Sequence, residues 1–142
     1  MTTPSDRPPT MAQDHMRRYL ETDGEDGHIW RGVPTLLLTT TGRSKGNLYT
    51  TPLIYGQDGD RYLLVASRGG APRHPGWYRN LVTNPDVEIQ ILGDRFPSRA
   101  RTATPEEKPV LWAIMTKVWP DYDEYQTRTT REIPVVVLER NT

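Results

Sequence analysis

The spacing of apolar and polar residues divides the chain into short elements. From near Thr10 to before Gly24, Ala12, Met16, Tyr19 and Leu20 recur at helical spacing and predict a first helix. Asp23 to Gly27 is an acidic, glycine-containing loop. Runs rich in Leu, Thr, Tyr and Val then predict strands over 34–41, 49–55 and 61–67, with Gly and Asp at the turns. Asp58-Gly59 between the last two is a hairpin signal. A Gly/Pro-rich loop over 69–76 leads into a short helix from about Pro75 to Val82, stopped by Asn84-Pro85.

Val87-Glu88-Ile89-Gln90-Ile91 alternates strictly and predicts a half-buried strand. Its hairpin partner is predicted over 95–102, where Pro97 marks an edge or a bulge. Thr104-Pro105-Glu106-Glu107 has the form of a capping box, opening a helix to about Trp119. Pro109 suits a helix interior poorly, so the regular helix can instead begin there. A short helix or ordered loop is expected over 121–130 and a last strand over 133–139. Strands and helices do not alternate as a doubly wound fold requires. The pattern predicts a mainly β (α+β) split β-barrel of about six antiparallel strands with peripheral helices.

The length of 142 residues suits one domain, expected over residues 11–142. Met1 to Thr10 is polar and Pro-rich, without an apolar signal core, and is expected to be disordered. No apolar run is long enough to span a membrane. The absence of cysteine excludes disulfides and thiolate metal sites and fits a cytoplasmic protein.

Eighteen basic residues balance eighteen acidic ones, which argues against a nucleic-acid binder. The distribution is uneven. Arg43, Lys45, Arg61, Arg68, Arg73 and Arg79 lie between Gly42 and Asn80, against only Asp58 and Asp60. Arginine forks suit phosphate and carboxylate. A solvated basic face is the plainer alternative. No dinucleotide fingerprint, Walker loop, nucleophile elbow or metal-ligand spacing is present, and His15, His28 and His74 lie far apart in sequence. Chemistry without an evident nucleophile or metal points to an organic cofactor.

Three segments could hold one. Thr40 to Asn47 is a hairpin loop whose two glycines flank Arg43, Ser44 and Lys45, either an anion-binding nest or a plain basic turn. Val65 to Asn80 ends a strand in small residues and then enters a helix N-terminus, which attracts anions. Trp77 within it is a core or a stacking residue. In Trp119 to Gln126, Tyr122 and Tyr125 share a helix face, to pack or to donate a proton.

Taken together, Leu37 to Arg43, Thr51-Pro52-Leu53, Ala66 to Pro72, His74-Pro75, Trp77-Tyr78, Asn84-Pro85, Tyr122 to Gln126 and Ile133 to Glu139 resemble the deazaflavin-dependent nitroreductase family. The resemblance covers nearly everything after His28. It implies a split β-barrel, coenzyme F420, and hydride transfer to a quinone, an activated alkene or a nitroaromatic compound.

By that resemblance Arg43, Ser44, Lys45, Gly46 and Asn47 grip the phosphate and oligoglutamate tail. Val65, Ala66, Ser67 and Arg68 lie against the deazaflavin. Gly76, Trp77, Tyr78, Arg79 and Asn80 back it. Ser67 places a hydroxyl near the hydride-donating ring, and Tyr122 supplies or orients a proton. Trp119, Tyr122 and Tyr125 form the substrate pocket. The chain departs from the family pattern in the order Ser44-Lys45, at Tyr49 where an Arg is common, at Gly76 where a large apolar residue can stand, and at Trp119 where Tyr is frequent. Alternatives are an FMN-binding split-barrel oxidoreductase and a non-catalytic deazaflavin-binding protein. A monomer, a homodimer and peripheral membrane contact all remain open.

Overall fold

The computed structural model describes residues 11–141. The segment expected to be disordered, 1–10, lies outside them. The described residues form four helices and one eight-stranded sheet. The strands are β1 (Ile29–Trp30), β2 (Val33–Thr41), β3 (Leu48–Ile54), β4 (Gly56–Asp58), β5 (Arg61–Val65), β6 (Asp86–Ile91), β7 (Asp94–Thr102) and β8 (Val135–Arg140). The helices are α1 (Met11–Thr22), α2 (Gly76–Thr83), α3 (Lys108–Val118) and α4 (Asp121–Thr127).

Every pairing is antiparallel, in the order β1-β2-β6-β7-β8-β5-β4, with β3 on the other side of β2. The sheet curls into a split half-barrel. β3 and β5 are not joined by a ladder, and that gap is the split.

The six predicted strands are present. The two extra ones, β1 and β4, are two and three residues long. Gly56-Gln57-Asp58 has little strand character of its own. It is a strand because its register with Arg61–Leu63 supplies the partners.

Continuous apolar runs in β5 and β8 reflect burial on both faces. Leu64, Val136 and Leu138 point into the barrel beside Leu36, Leu38, Ile89 and Phe96. Leu63, Val65, Val135 and Val137 point outward, under Leu111 and Met115 of α3 and Tyr122 of α4. The outward core is what fixes α3 and α4 at one mouth of the barrel.

Pro97 corrects an expectation. β7 lies between β6 and β8, so it is no edge strand. The β8 ladder ends at the pair Ser98↔Arg140, and the Pro97 carbonyl accepts from Asn141 N just past it. The missing N–H therefore falls opposite Asn141, one residue past the end of β8.

Helix α1 also differs in detail. Leu20 is exposed, whereas Tyr19 is fully buried. The Tyr19 hydroxyl donates to Thr35 O at 3.1 Å and accepts from Leu92 N at 2.8 Å, riveting α1 to the sheet. The capping box forms, since Thr104 N donates to Glu107 Oε1 and Glu107 N to Thr104 Oγ1. It closes a turn ahead of α3, leaving Pro109 in the first helical turn, where no N–H is required.

Candidate active site

The split opens into a cavity of about 680 Å³. Pro52, Leu53 and Ile54 of β3 line one side of it and Val65 and Ser67 the other. Gly76, Trp77 and Arg79 of α2 form the floor, and Trp119, Tyr122 and Tyr125 the far wall. Ala12, His15 and Trp30 reach it from α1 and β1. A second groove of about 440 Å³ shares Gly76 and Trp77 with the cavity. Arg43, Ser44, Tyr49 and Asn80 line that groove. The two form a larger compartment with a smaller arm toward the β2–β3 turn.

The turn owes its form to Gly46, whose φ of +74° is one that L side chains rarely adopt. Gly42 N donates to Asn47 O and Gly46 N to Gly42 O, which closes the loop. Arg43 is held from below. Its Nη1 donates to Asn80 Oδ1 at 2.6 Å and its backbone N to the same oxygen at 3.3 Å, while Asn80 Nδ2 donates to Thr40 Oγ1. Asn80 is buried and presets the Arg43 fork.

Among the described residues, no carboxylate lines the cavity or the groove. Elsewhere the basic side chains are mostly ion-paired, as in Arg17–Asp14, Arg101–Glu139 and Arg140–Asp94. Arg43, Lys45, Arg68, Arg73 and Arg79 have no ion pair among the described residues. Three of them line the two spaces, Arg68 and Arg79 the cavity and Arg43 the groove. Arg68 itself sits at φ +45°, an uncommon backbone for a residue with a side chain.

Two hydroxyls on the cavity wall have no hydrogen-bond partner among the described residues, those of Ser67 and Tyr122. Burial, and secondarily the neighbouring Tyr125, push the Tyr122 phenol well above its ordinary value. It is therefore protonated at any physiological pH. The Tyr125 hydroxyl instead accepts from Trp119 Nε1 at 3.3 Å. Trp30 and Trp119 pair across the mouth, with ring centroids 5.8 Å apart.

Of the residues picked out from the sequence, Val65, Ser67, Arg68, Gly76, Trp77, Arg79, Trp119, Tyr122 and Tyr125 meet in the cavity. Arg43, Ser44 and Asn80 meet in the groove. Lys45, Gly46, Asn47, Ala66 and Tyr78 line neither. The Tyr78 hydroxyl is bonded to Thr102 Oγ1. Sequence reasoning missed His15, Trp30, His74 and the β3 wall. It also missed Arg131, whose guanidinium sits behind Ser67. A lone Arg in the stretch before the last strand carried no local signal.

A curled antiparallel half-barrel, with a cavity at its split that is lined by arginines and aromatic side chains, belongs to the split-barrel proteins. More narrowly, residues 11–140 match the model of the F420H(2)-dependent quinone reductase family, and the chain belongs to that family. An F420H(2)-dependent quinone reductase of Mycobacterium tuberculosis is 48% identical over 130 residues, 89% of this chain and 87% of the relative. The solved F420-H2 dependent reductase FDR-A is 40% identical with a TM-score of 0.70, covering 75% of this chain and 94% of that one. Another solved chain, described as a domain-swapped dimer, is 38% identical with a TM-score of 0.72, covering 89% and 95%. The protein is thus an F420-dependent reductase that passes a hydride to quinone-type acceptors. No helix among the described residues is long and apolar enough to cross a membrane.

Proposed function

We propose that the larger cavity holds the deazaflavin ring and the acceptor, while the Arg43–Ser44 groove holds the phosphate-bearing tail. The observation that carries this is the three cations without carboxylate partners that line the two joined spaces, Arg43 in the groove and Arg68 and Arg79 in the cavity. An anionic tail neutralises them, and apolar walls such as Leu53, Val65 and Trp77 suit a planar ring. The donor set and the volume fit the family's cofactor. When bound, the reduced deazaflavin supplies the hydride.

The protein's own part is to bind, orient and protonate. Arg43, preset by Asn80, grips the tail, with Ser44 as a second donor. Lys45, Gly46 and Asn47 hold the turn and its field. Val65, Ser67 and Arg68 form one wall of the ring site, with Ala66 setting the strand end through its bond to Pro134 O. Gly76, Trp77 and Arg79 form the floor, and Tyr78 anchors α2 to β7. Trp119, Tyr122 and Tyr125 bound the acceptor. Two-electron reduction of a quinone takes up one hydride and one proton. The Tyr122 hydroxyl, which has no competing partner, gives the proton and recovers one from water; burial keeps it protonated between turnovers while making it a weak acid. Ser67 Oγ is placed to orient the acceptor.

Enones and nitroaromatic compounds are further acceptors on the same chemistry. The working unit is a single domain over residues 11–142, acting in the cytoplasm. Homodimer formation finds support in the related chain described as a domain-swapped dimer.

Spectroscopic titration with F420, FMN, FAD and NADPH tests the reading. F420 should bind clearly tighter than the others, and rising salt should weaken it. Tighter binding of FMN under the same conditions would overturn it.

A further inference from the structure

Arg131 lies between α4 and β8, and its guanidinium is satisfied without any carboxylate. Its Nε donates to Ala71 O at 2.8 Å, Nη2 to Ser67 O at 2.8 Å and Nη1 to Ala66 O at 3.2 Å. Nη1 also lies 2.9 Å from His74 Nδ1. A guanidinium carries only donors, so Nδ1 of His74 must accept. The imidazole is therefore neutral, with its proton on Nε2. A second proton would have to enter at Nδ1, against the arginine.

The consequence lies on the other side of the ring. His74 lines the ring cavity, and among the described residues Nε2 has no hydrogen-bond partner. The Tyr78 ring, 4.9 Å away between centroids, steadies the imidazole by contact alone, because its hydroxyl is committed to Thr102. Arg131 thus builds an oriented N–H donor, its tautomer fixed, among Ser67, Gly69, Pro75 and Gly76. An unused donor at such a site is costly when buried under a ligand, unless the ligand accepts from it.

We propose that His74 is a cofactor-binding residue whose Nε2–H donates to a carbonyl oxygen or ring nitrogen of the bound deazaflavin, and that Arg131 is the positioning residue that sets this tautomer. The proposal rests on placement of the F420 ring in the cavity.

The experiment combines nitrogen NMR on the wild-type protein with titration of two variants. In free enzyme labelled with ¹⁵N, long-range correlation should show an unprotonated Nδ1 and a protonated Nε2 for His74. Oxidised F420, added without any acceptor, should shift the Nε2–H proton and slow its exchange. His74→Gln can keep a donor near the Nε2 position, whereas His74→Asn keeps an acceptor for Arg131 and loses that donor. F420 affinity should fall about 10-fold in His74→Asn and far less in His74→Gln. Arg131→Gln should give mixed tautomers in the NMR spectrum.

A proton on Nδ1 in free enzyme would overturn the proposal. So would an unchanged Nε2–H resonance at saturating F420 with His74→Asn binding normally, and that outcome would leave the cofactor reading intact. Failure of wild-type protein to bind F420 at all would overturn both.

Discussion

Gly70 and the carbonyl of Tyr125 stand closer than any side chain would allow. A Cβ built on Gly70 would lie 2.5 Å from Tyr125 O. The Gly70 φ of +84° disfavours other residues independently. This contact seats α4 on the loop after β5, and so sets the distance between Ser67 and the tyrosine wall. Gly70→Ala should cost roughly 1–3 kcal/mol from backbone strain, with the clash added to it. Thermal unfolding should show the loss, and F420 affinity should fall with it. A variant as stable as wild type, with normal affinity, would mean that α4 is not seated here.

Asn80 and Arg43 act as one unit. Asn80→Ala removes the acceptor that holds the Arg43 fork. It should raise the apparent cofactor constant by about 10-fold while leaving the maximal rate close to wild type. Arg43→Ala should do the same more strongly, and the double variant should add little to Arg43→Ala. Titration of the three variants gives the coupling directly. Additive losses would show that Asn80 does not work through Arg43.

Tyr122→Phe keeps the ring and removes only the hydroxyl. If that hydroxyl supplies the proton, quinone turnover should fall by up to ~10²-fold, at the low end for a general acid because water can substitute. F420 affinity should hardly change. Tyr125→Phe, whose hydroxyl already accepts from Trp119, serves as the control. Wild-type turnover in Tyr122→Phe across several quinones would leave the residue as a wall only.

Acid should destabilise the fold through its histidines. Burial lowers the affinity of His28 for protons. It does so for His74 too, aided by Arg131 and then Arg79. Tyr78 and Arg68 complete the surroundings of His74, and Tyr55 shares a hydrogen bond with His28. A histidine whose folded value is depressed binds more protons unfolded. Stability should therefore rise with pH through the window just below 6.5 and level off above it. Urea melts at pH 5.5 and 7.5 check this. His74→Asn should flatten part of the slope, and an unchanged slope would mean that His74 titrates alike in both states.

The strands and helices were legible because each carries its own period, and Val87 and Ile89 are buried as their alternation predicts, although Gln90 is buried too and Ile91 only half-buried. Most of the cavity was legible for another reason. Ser67, Arg68, Gly76, Trp77 and Arg79 lie within one short stretch that folds back on itself. What could not be read is long-range. Arg131 and His74 are 57 residues apart, and the loop carbonyls that Arg131 binds advertise nothing in sequence. Trp30 belongs to a strand of two residues, too short for any period. Pro97 misled because its exemption depends on where another strand, β8, happens to end.

The unpaired cations around the cavity reach beyond affinity. Before the cofactor binds, Arg43, Arg68 and Arg79 bring like charge to one joined space, a repulsion that no lining carboxylate among the described residues offsets. An anionic cofactor that binds only the folded chain removes that repulsion. At a hundred times its Kd it adds roughly 2.7 kcal/mol of stability. Folded lifetime then follows cofactor supply. In a cell short of F420 a larger share of the chain would pass through unfolding and proteolysis, so its abundance would follow the cofactor pool.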